Sequence, residues 1–189
     1  MNARLGTLAT GTAVMALGMS LFAGPASAEE TTCRGSLGAV TVDNLRVPQN
    51  GSCSLTGTKV KGTIKVEGNA TLNASRVNVI GNVQAENARS VTIRNNSSIG
   101  GSVQVVQGGG ANVTASKING DILYDDNNSR VVAKNNQVGG QLQAFQNTGG
   151  VTIQRNTIKG NLQCKANRPA PTGGGNVVDG NKEDQCARL

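Results

Sequence analysis

Residues 118–122 read Ile118-Asn119-Gly120-Asp121-Ile122, and the same aliphatic-x-Gly-polar-aliphatic pattern returns at an almost fixed interval. It occurs as Val60-Lys61-Gly62-Thr63-Ile64, Val79-Ile80-Gly81-Asn82-Val83, Ile99-Gly100-Gly101-Ser102-Val103, Val138-Gly139-Gly140-Gln141-Leu142 and Ile158-Lys159-Gly160-Asn161-Leu162. The central glycines are therefore Gly62, Gly81, Gly101, Gly120, Gly140 and Gly160, and a half-match, Val178-Asp179-Gly180-Asn181, keeps the same step. A regular internal period of this length is the signature of a solenoid, in which each repeat buries its apolar side only against its neighbours.

Within a repeat the alternation is that of a strand. Ile118, Ile122 and Tyr124 point one way, and Asp121, Leu123 and Asp125 the other. A second short segment follows in most copies: Ala70-Thr71-Leu72, Val91-Thr92-Ile93, Val113-Thr114-Ala115, Val131-Val132-Ala133 and Val151-Thr152-Ile153. Turn formers such as Asn95-Asn96, Gly108-Gly109-Gly110, Asn135-Asn136 and Gly149-Gly150 separate the segments. Every copy runs in the same direction, so the expected architecture is all-β: a single-domain parallel β-helix with two strands per repeat. About seven coils stacked about 4.8 Å apart would make a rod of roughly 34 Å. Ile64, Val83, Val103, Ile122, Leu142 and Leu162 would form one interior column, and Val60, Val79, Ile99, Ile118, Val138 and Ile158 another. Outward Gln84, Gln104, Gln143 and Gln163 would form an amide ladder broken by Leu123, and Thr71, Thr92, Thr114 and Thr152 one outward threonine column. Of the aromatics beyond residue 28, Tyr124 and Phe145, Tyr124 is expected to fill the core.

Cys33 lies close to one repeat before Cys53, and Cys164 close to one repeat before Cys186. Each pair can therefore sit on neighbouring coils within disulfide reach. Four cysteines allow three pairings, and the other two would have to cross most of the rod. Disulfides Cys33–Cys53 and Cys164–Cys186 would therefore cap the two raw ends. Zinc is the rival reading, which the lack of CxxC spacing disfavours. The expected division is a secretory signal over 1–28, an N-terminal cap and first coil over 29–59, repeats over 60–165, and a C-terminal loop and capping coil over 166–189.

Residues 1–28 carry Arg4, a weakly apolar run from Leu5 to Ala23, and Ala26-Ser27-Ala28 as a small-x-small cleavage site. That run is too interrupted to serve as a membrane span, and no later stretch is apolar enough. The expectation is a secreted, extracellular monomer. The 189 residues carry a net charge of +7 and contain no histidine, which removes His-based triads and His-ligated zinc. Aromatics make up 2%, too few to build stacking platforms, so nucleic acid is not an expected partner.

The stretches Gly173-Gly174-Gly175-Asn176 and Asn181-Lys182-Glu183-Asp184-Gln185-Cys186, together with the repeats, resemble those of secreted β-helix repeat proteins of actinobacteria. The resemblance covers residues 29–189 and implies the fold and export. At fold level the chain is also similar to the pectate-lyase-like superfamily, an analogy that carries no chemistry by itself.

Two functional readings follow from the charged residues. Asp121, Asp125 and Asp126 are the only acidic cluster, the place for a lyase-like polysaccharide-active site. On a strand Asp121 and Asp125 stand about 13 Å apart and cannot share a calcium ion, whereas Asp125 and Asp126 could at a turn. Basic residues recur about once per coil after the second segment, as Arg76, Arg94, Lys117, Lys134 and Arg155. On one edge they would form a positive stripe suited to an anionic wall polymer or acidic polysaccharide. Scattered, they would only keep a rod soluble. The preferred expectation is a structural or adhesive protein of the cell envelope, without enzymatic activity, cofactor or resident metal.

Overall fold

The computed structural model describes residues 29–189, so the expected secretory segment 1–28 lies outside the described residues. All regular structure here is β, a succession of short strands wound into three parallel sheets that share one core. Sheet 1 has nine strands: Glu30–Thr32, Asn44–Val47, Ile64–Val66, Val83–Glu86, Val103–Val106, Ile122–Asp125, Leu142–Phe145, Leu162–Lys165 and Lys182–Asp184. Sheet 2 has eight: Gly35–Leu37, Ser52–Thr56, Thr71–Ser75, Ser90–Arg94, Gly110–Thr114, Val131–Lys134, Val151–Gln154 and Thr172–Gly174. Sheet 3 also has eight, each a pair of residues: Thr41–Val42, Lys59–Val60, Asn78–Val79, Ser98–Ile99, Lys117–Ile118, Gln137–Val138, Thr157–Ile158 and Val177–Val178.

The chain thus makes eight turns of three strands, not seven of two. The difference lies in the glycine motif. Ile118 belongs to sheet 3 and Ile122 to sheet 1, and the glycine between them is the corner that joins the sheets. The extra turn is the first, Glu30–Val42. It is shorter than the rest, since Glu30 already finds its partner in Asn44, and no glycine motif marks its corner.

Both aliphatic columns are formed as expected. Leu45, Ile64, Val83, Val103, Ile122, Leu142 and Leu162 pair in register through sheet 1 and are buried, as are Val60 to Ile158 in sheet 3. Tyr124 is fully buried, and its hydroxyl donates to the Val132 carbonyl at 3.0 Å. The outward threonine column differs. Thr92 pairs with Asn73 and Asn112, and Thr152 with Val132 and Thr172, whereas Thr71 and Thr114 sit in other files. Corner lengths vary slightly from turn to turn, and even a small slip reassigns a side chain's file.

The repeat glycines are required by close approach. Gly81, Gly101, Gly120, Gly140 and Gly160 each donate their N–H to the glycine carbonyl one turn earlier, at 2.8–3.0 Å. A Cβ on Gly81 would stand 2.6 Å from the Gly62 carbonyl oxygen. Beside this backbone file runs a polar one: Thr63 N–H donates to Asn44 Oδ1, Asn82 to Thr63 Oγ1, Ser102 to Asn82 Oδ1, Asp121 to Ser102 Oγ and Gln141 to Asp121 Oδ1.

Disulfides close both ends. Cys33 is bonded to Cys53 with Cα atoms 5.6 Å apart, and Cys164 to Cys186 at 5.2 Å. At the C-terminal end Lys182 takes the place of the interior aliphatic and is exposed, while Leu189 packs against the core.

Candidate functional site

The five basic residues singled out from the sequence lie at one corner of the prism, where sheet 2 passes into sheet 3. Arg94 and Lys134 end their sheet 2 strands. Arg76 and Arg155 each follow a sheet 2 strand end, at φ 54° and 55° in the left-handed conformation that turns the chain. Lys117 begins its sheet 3 strand. They fall on five successive turns, one on each, so the irregular spacing to the next glycine moves them sideways across the corner and not away from it. Lys59 opens a sheet 3 strand in the file of Lys117 and adds a sixth consecutive turn. Sequence reasoning missed Lys59 because it precedes the first full glycine motif and so stands in the expected N-terminal cap. From Lys59 to Arg155 the file spans about 24 Å at the strand spacing of about 4.8 Å per turn. All six are exposed except Lys134, which is half-buried.

The carboxylates are elsewhere. All eleven acidic residues lie on sheet 1 or in the two corners that flank it: Glu29, Glu30, Asp43, Glu67, Glu86, Asp121, Asp125, Asp126, Asp179, Glu183 and Asp184. The ion pairs of the described residues follow the same division. Arg46 with Glu30 and Glu67, Lys61 with Asp43, and Lys159 with Asp179 all belong to that side. The hydrogen bond and charge of Lys61 hold the Asp43 carboxyl below its ordinary range. At the opposite corner no cation has a carboxylate partner among the described residues, so the positive potential there is not neutralised locally.

The acidic cluster is not assembled as one site. Asp121 stands in the corner before the strand Ile122–Asp125, and its Oδ1 accepts the Gln141 backbone N–H at 2.6 Å, a structural duty. Asp125 is at the far end of that strand, and Asp126 follows it in the left-handed corner at φ 53°. Burial, and then the neighbouring Asp126 charge, push the Asp125 carboxyl above its usual range, and its Oδ1 is enclosed without a hydrogen-bond donor. It borders a shallow hollow shared with Phe145, Gln146 and Lys165. Among the described residues no three Cys, Asp or Glu side chains converge as a metal site would need.

Two buried asparagine files, indistinguishable from turn residues in the sequence, run inside the corners. Asn127, Asn147 and Asn167 are one, ended by Gln185; Asn136, Asn156 and Asn176 are the other. Along both files an amide donates to the next turn's Oδ1 and to a carbonyl of the preceding turn, as Asn147 Nδ2 does to Tyr124 O at 3.0 Å. The outward glutamine file is hydrogen-bonded from Gln143 to Gln163 to Glu183, at 2.7 and 2.6 Å. Of these files, that of Asn136 lies in the basic corner, where backbone N–H bonds from Ser116 to Asn136, from Asn136 to Asn156 and from Asn156 to Asn176 tie together the turns that carry Lys117, Lys134 and Arg155.

Comparison with known protein families, with curated proteins and with solved structures gives no match to this chain. No helix among the described residues is long and apolar enough to cross a membrane.

Proposed function

We propose that the protein is a secreted, non-enzymatic β-helix of the cell envelope, related to the actinobacterial proteins it resembles, that binds anionic wall polymers along its basic corner. The observation that supports this is the segregation of charge. One cation without a carboxylate partner stands on each of six successive turns, and every carboxylate lies on the other side of the prism. Solubility alone would be served as well by mixed signs. A rigid row of like charges instead attracts a flexible polyanion along its whole length, with a strength that falls as salt rises. The two disulfides suit an oxidising compartment.

The test is co-sedimentation of residues 29–189 with purified bacterial cell wall across a salt series, with released sugar assayed in the supernatant. Retention at low salt that is lost at high salt, without sugar release, is the expected result. Sugar release would favour the lyase-like alternative, and absence of retention at any salt would remove the binding proposal.

A further inference from the structure

The outer face of sheet 2 adjoins the basic corner and has its own regular chemistry. Ser54, Asn73, Thr92 and Asn112 follow one another in register, and their side chains make no hydrogen bond to another described residue. The same file continues through Val132 to Thr152, which already accepts from Arg130 at 3.4 Å. On five turns a central polar side chain is therefore matched with a cation at the corner: Ser54 with Lys59, Asn73 with Arg76, Thr92 with Arg94, Asn112 with Lys117 and Thr152 with Arg155. This half of the surface bears no carboxylate and no aromatic ring; Tyr124 is in the core and Phe145 is on sheet 1.

From this pairing we infer that the ligand is an extended glycan carrying about one anionic group per sugar, lying parallel to the solenoid axis. Its sugars rest on the sheet 2 face and its anions reach the corner. The inference rests on the proposed basic-edge reading and adds the class of polymer. A polyanion without hydroxyls would satisfy the cations and leave the polar file to water. A neutral glycan would meet the file and lack the charge. The turn spacing of about 4.8 Å is close to the length of one sugar in an extended chain, so a glycan laid along the axis meets a cation about once per sugar and a polar side chain on every turn but that of Val132. Neutral hydrogen bonds exchanged with water each add only a modest net gain, and three or four in register suffice to separate two polymers of equal charge.

The test uses residues 29–189 and three soluble probes at one ionic strength: carboxymethylcellulose with about one carboxylate per sugar, inorganic polyphosphate with the same number of charges, and neutral hydroxyethylcellulose. Carboxymethylcellulose is expected to bind at least about tenfold more tightly than polyphosphate, and hydroxyethylcellulose more weakly than either. The variant Asn73→Val/Thr92→Val/Asn112→Val should remove the preference for carboxymethylcellulose while leaving polyphosphate binding unchanged. Valine fits this file, since Val132 already occupies it. Equal or tighter binding of polyphosphate by the unaltered protein, or a preference that survives in the variant, overturns the inference and leaves the basic-edge reading intact. If neither polyanion binds, the basic-edge reading fails as well.

Discussion

Asn147 and Asn167 are joined by two hydrogen bonds to a single atom: Asn167 Oδ1 accepts the Asn147 side-chain amide at 2.9 Å and its backbone N–H at 3.1 Å. Asn127 makes the same pair of bonds to Asn147, so the amide of Asn147 is used on both sides and the corner has no slack. Asn147→Leu would leave the buried Asn127 backbone N–H and one hydrogen of its side-chain amide without an acceptor, the other staying on the Val105 carbonyl. Each stranded group costs about 1–3 kcal/mol, so the loss should reach about 3 kcal/mol or more in urea unfolding. Asn128→Leu, at the exposed neighbouring position, should change stability by no more than about 0.5 kcal/mol. Equal effects would mean that the buried file carries no special weight.

Gly140→Ala should destabilise by about 1–3 kcal/mol, because the new Cβ would fall on the Asp121 carboxylate and stand 3.0 Å from the Gly120 carbonyl carbon. Gly38→Ala places its Cβ in open space and should be close to neutral. Thermal unfolding of the two variants side by side distinguishes close approach from a general loss of glycine.

How much of this was legible in the sequence depends on which direction a side chain takes. Ile64, Ile122 and Leu162 announce their interior file because an aliphatic residue at a fixed period has only one stable destination. The cysteine spacings announce the caps for a similar reason. Asn136 and Asn147 do not, since a turn asparagine looks the same in sequence whether its amide faces water or the core. Sheet 3 is hidden because a strand as short as Lys117–Ile118 cannot show alternation. Thr114 leaves the file of Thr92 because the strand register brings Asn112 opposite Thr92, and Thr114 falls further along the strand. The basic residues are visible as a recurrence, but their common corner appears only once Arg76 and Arg155 are seen to turn the chain beside the ends of neighbouring strands.

Reduction of the disulfides should loosen the ends first. Each bond is worth about 2–4 kcal/mol. Cys33→Ser/Cys53→Ser should speed amide exchange at Glu30–Val47 well before the central turns around Val103 and Ile122, which keep both neighbours. Uniform loss of protection along the rod would show that the caps hold the whole fold and not its ends.

Asp125 gives a pH signature of defined sign. Its carboxyl titrates above the usual range in the folded protein, from burial and from Asp126. The folded state therefore holds this proton more firmly than the unfolded state. The penalty for ionising it is absent below the unfolded value, grows between the two values and is complete above the folded one. Asp125→Asn, which mimics the uncharged group, should raise the unfolding midpoint at pH 7 and have little effect at pH 3. A gain of the same size at both pH values would exclude titration as its cause.

The most direct test of wall binding by the basic corner compares two charge reversals of equal size. Arg94→Glu/Lys134→Glu/Arg155→Glu alters the corner, and Lys65→Glu/Lys159→Glu/Lys165→Glu alters sheet 1 and its flank. Both lower the net charge by the same amount, so wall retention governed by total charge would fall equally in the two. The corner variant should lose salt-sensitive retention on cell wall, and the sheet 1 variant should keep most of it. Equal losses, or a larger loss in the sheet 1 variant, would contradict the assignment of binding to the corner between sheets 2 and 3.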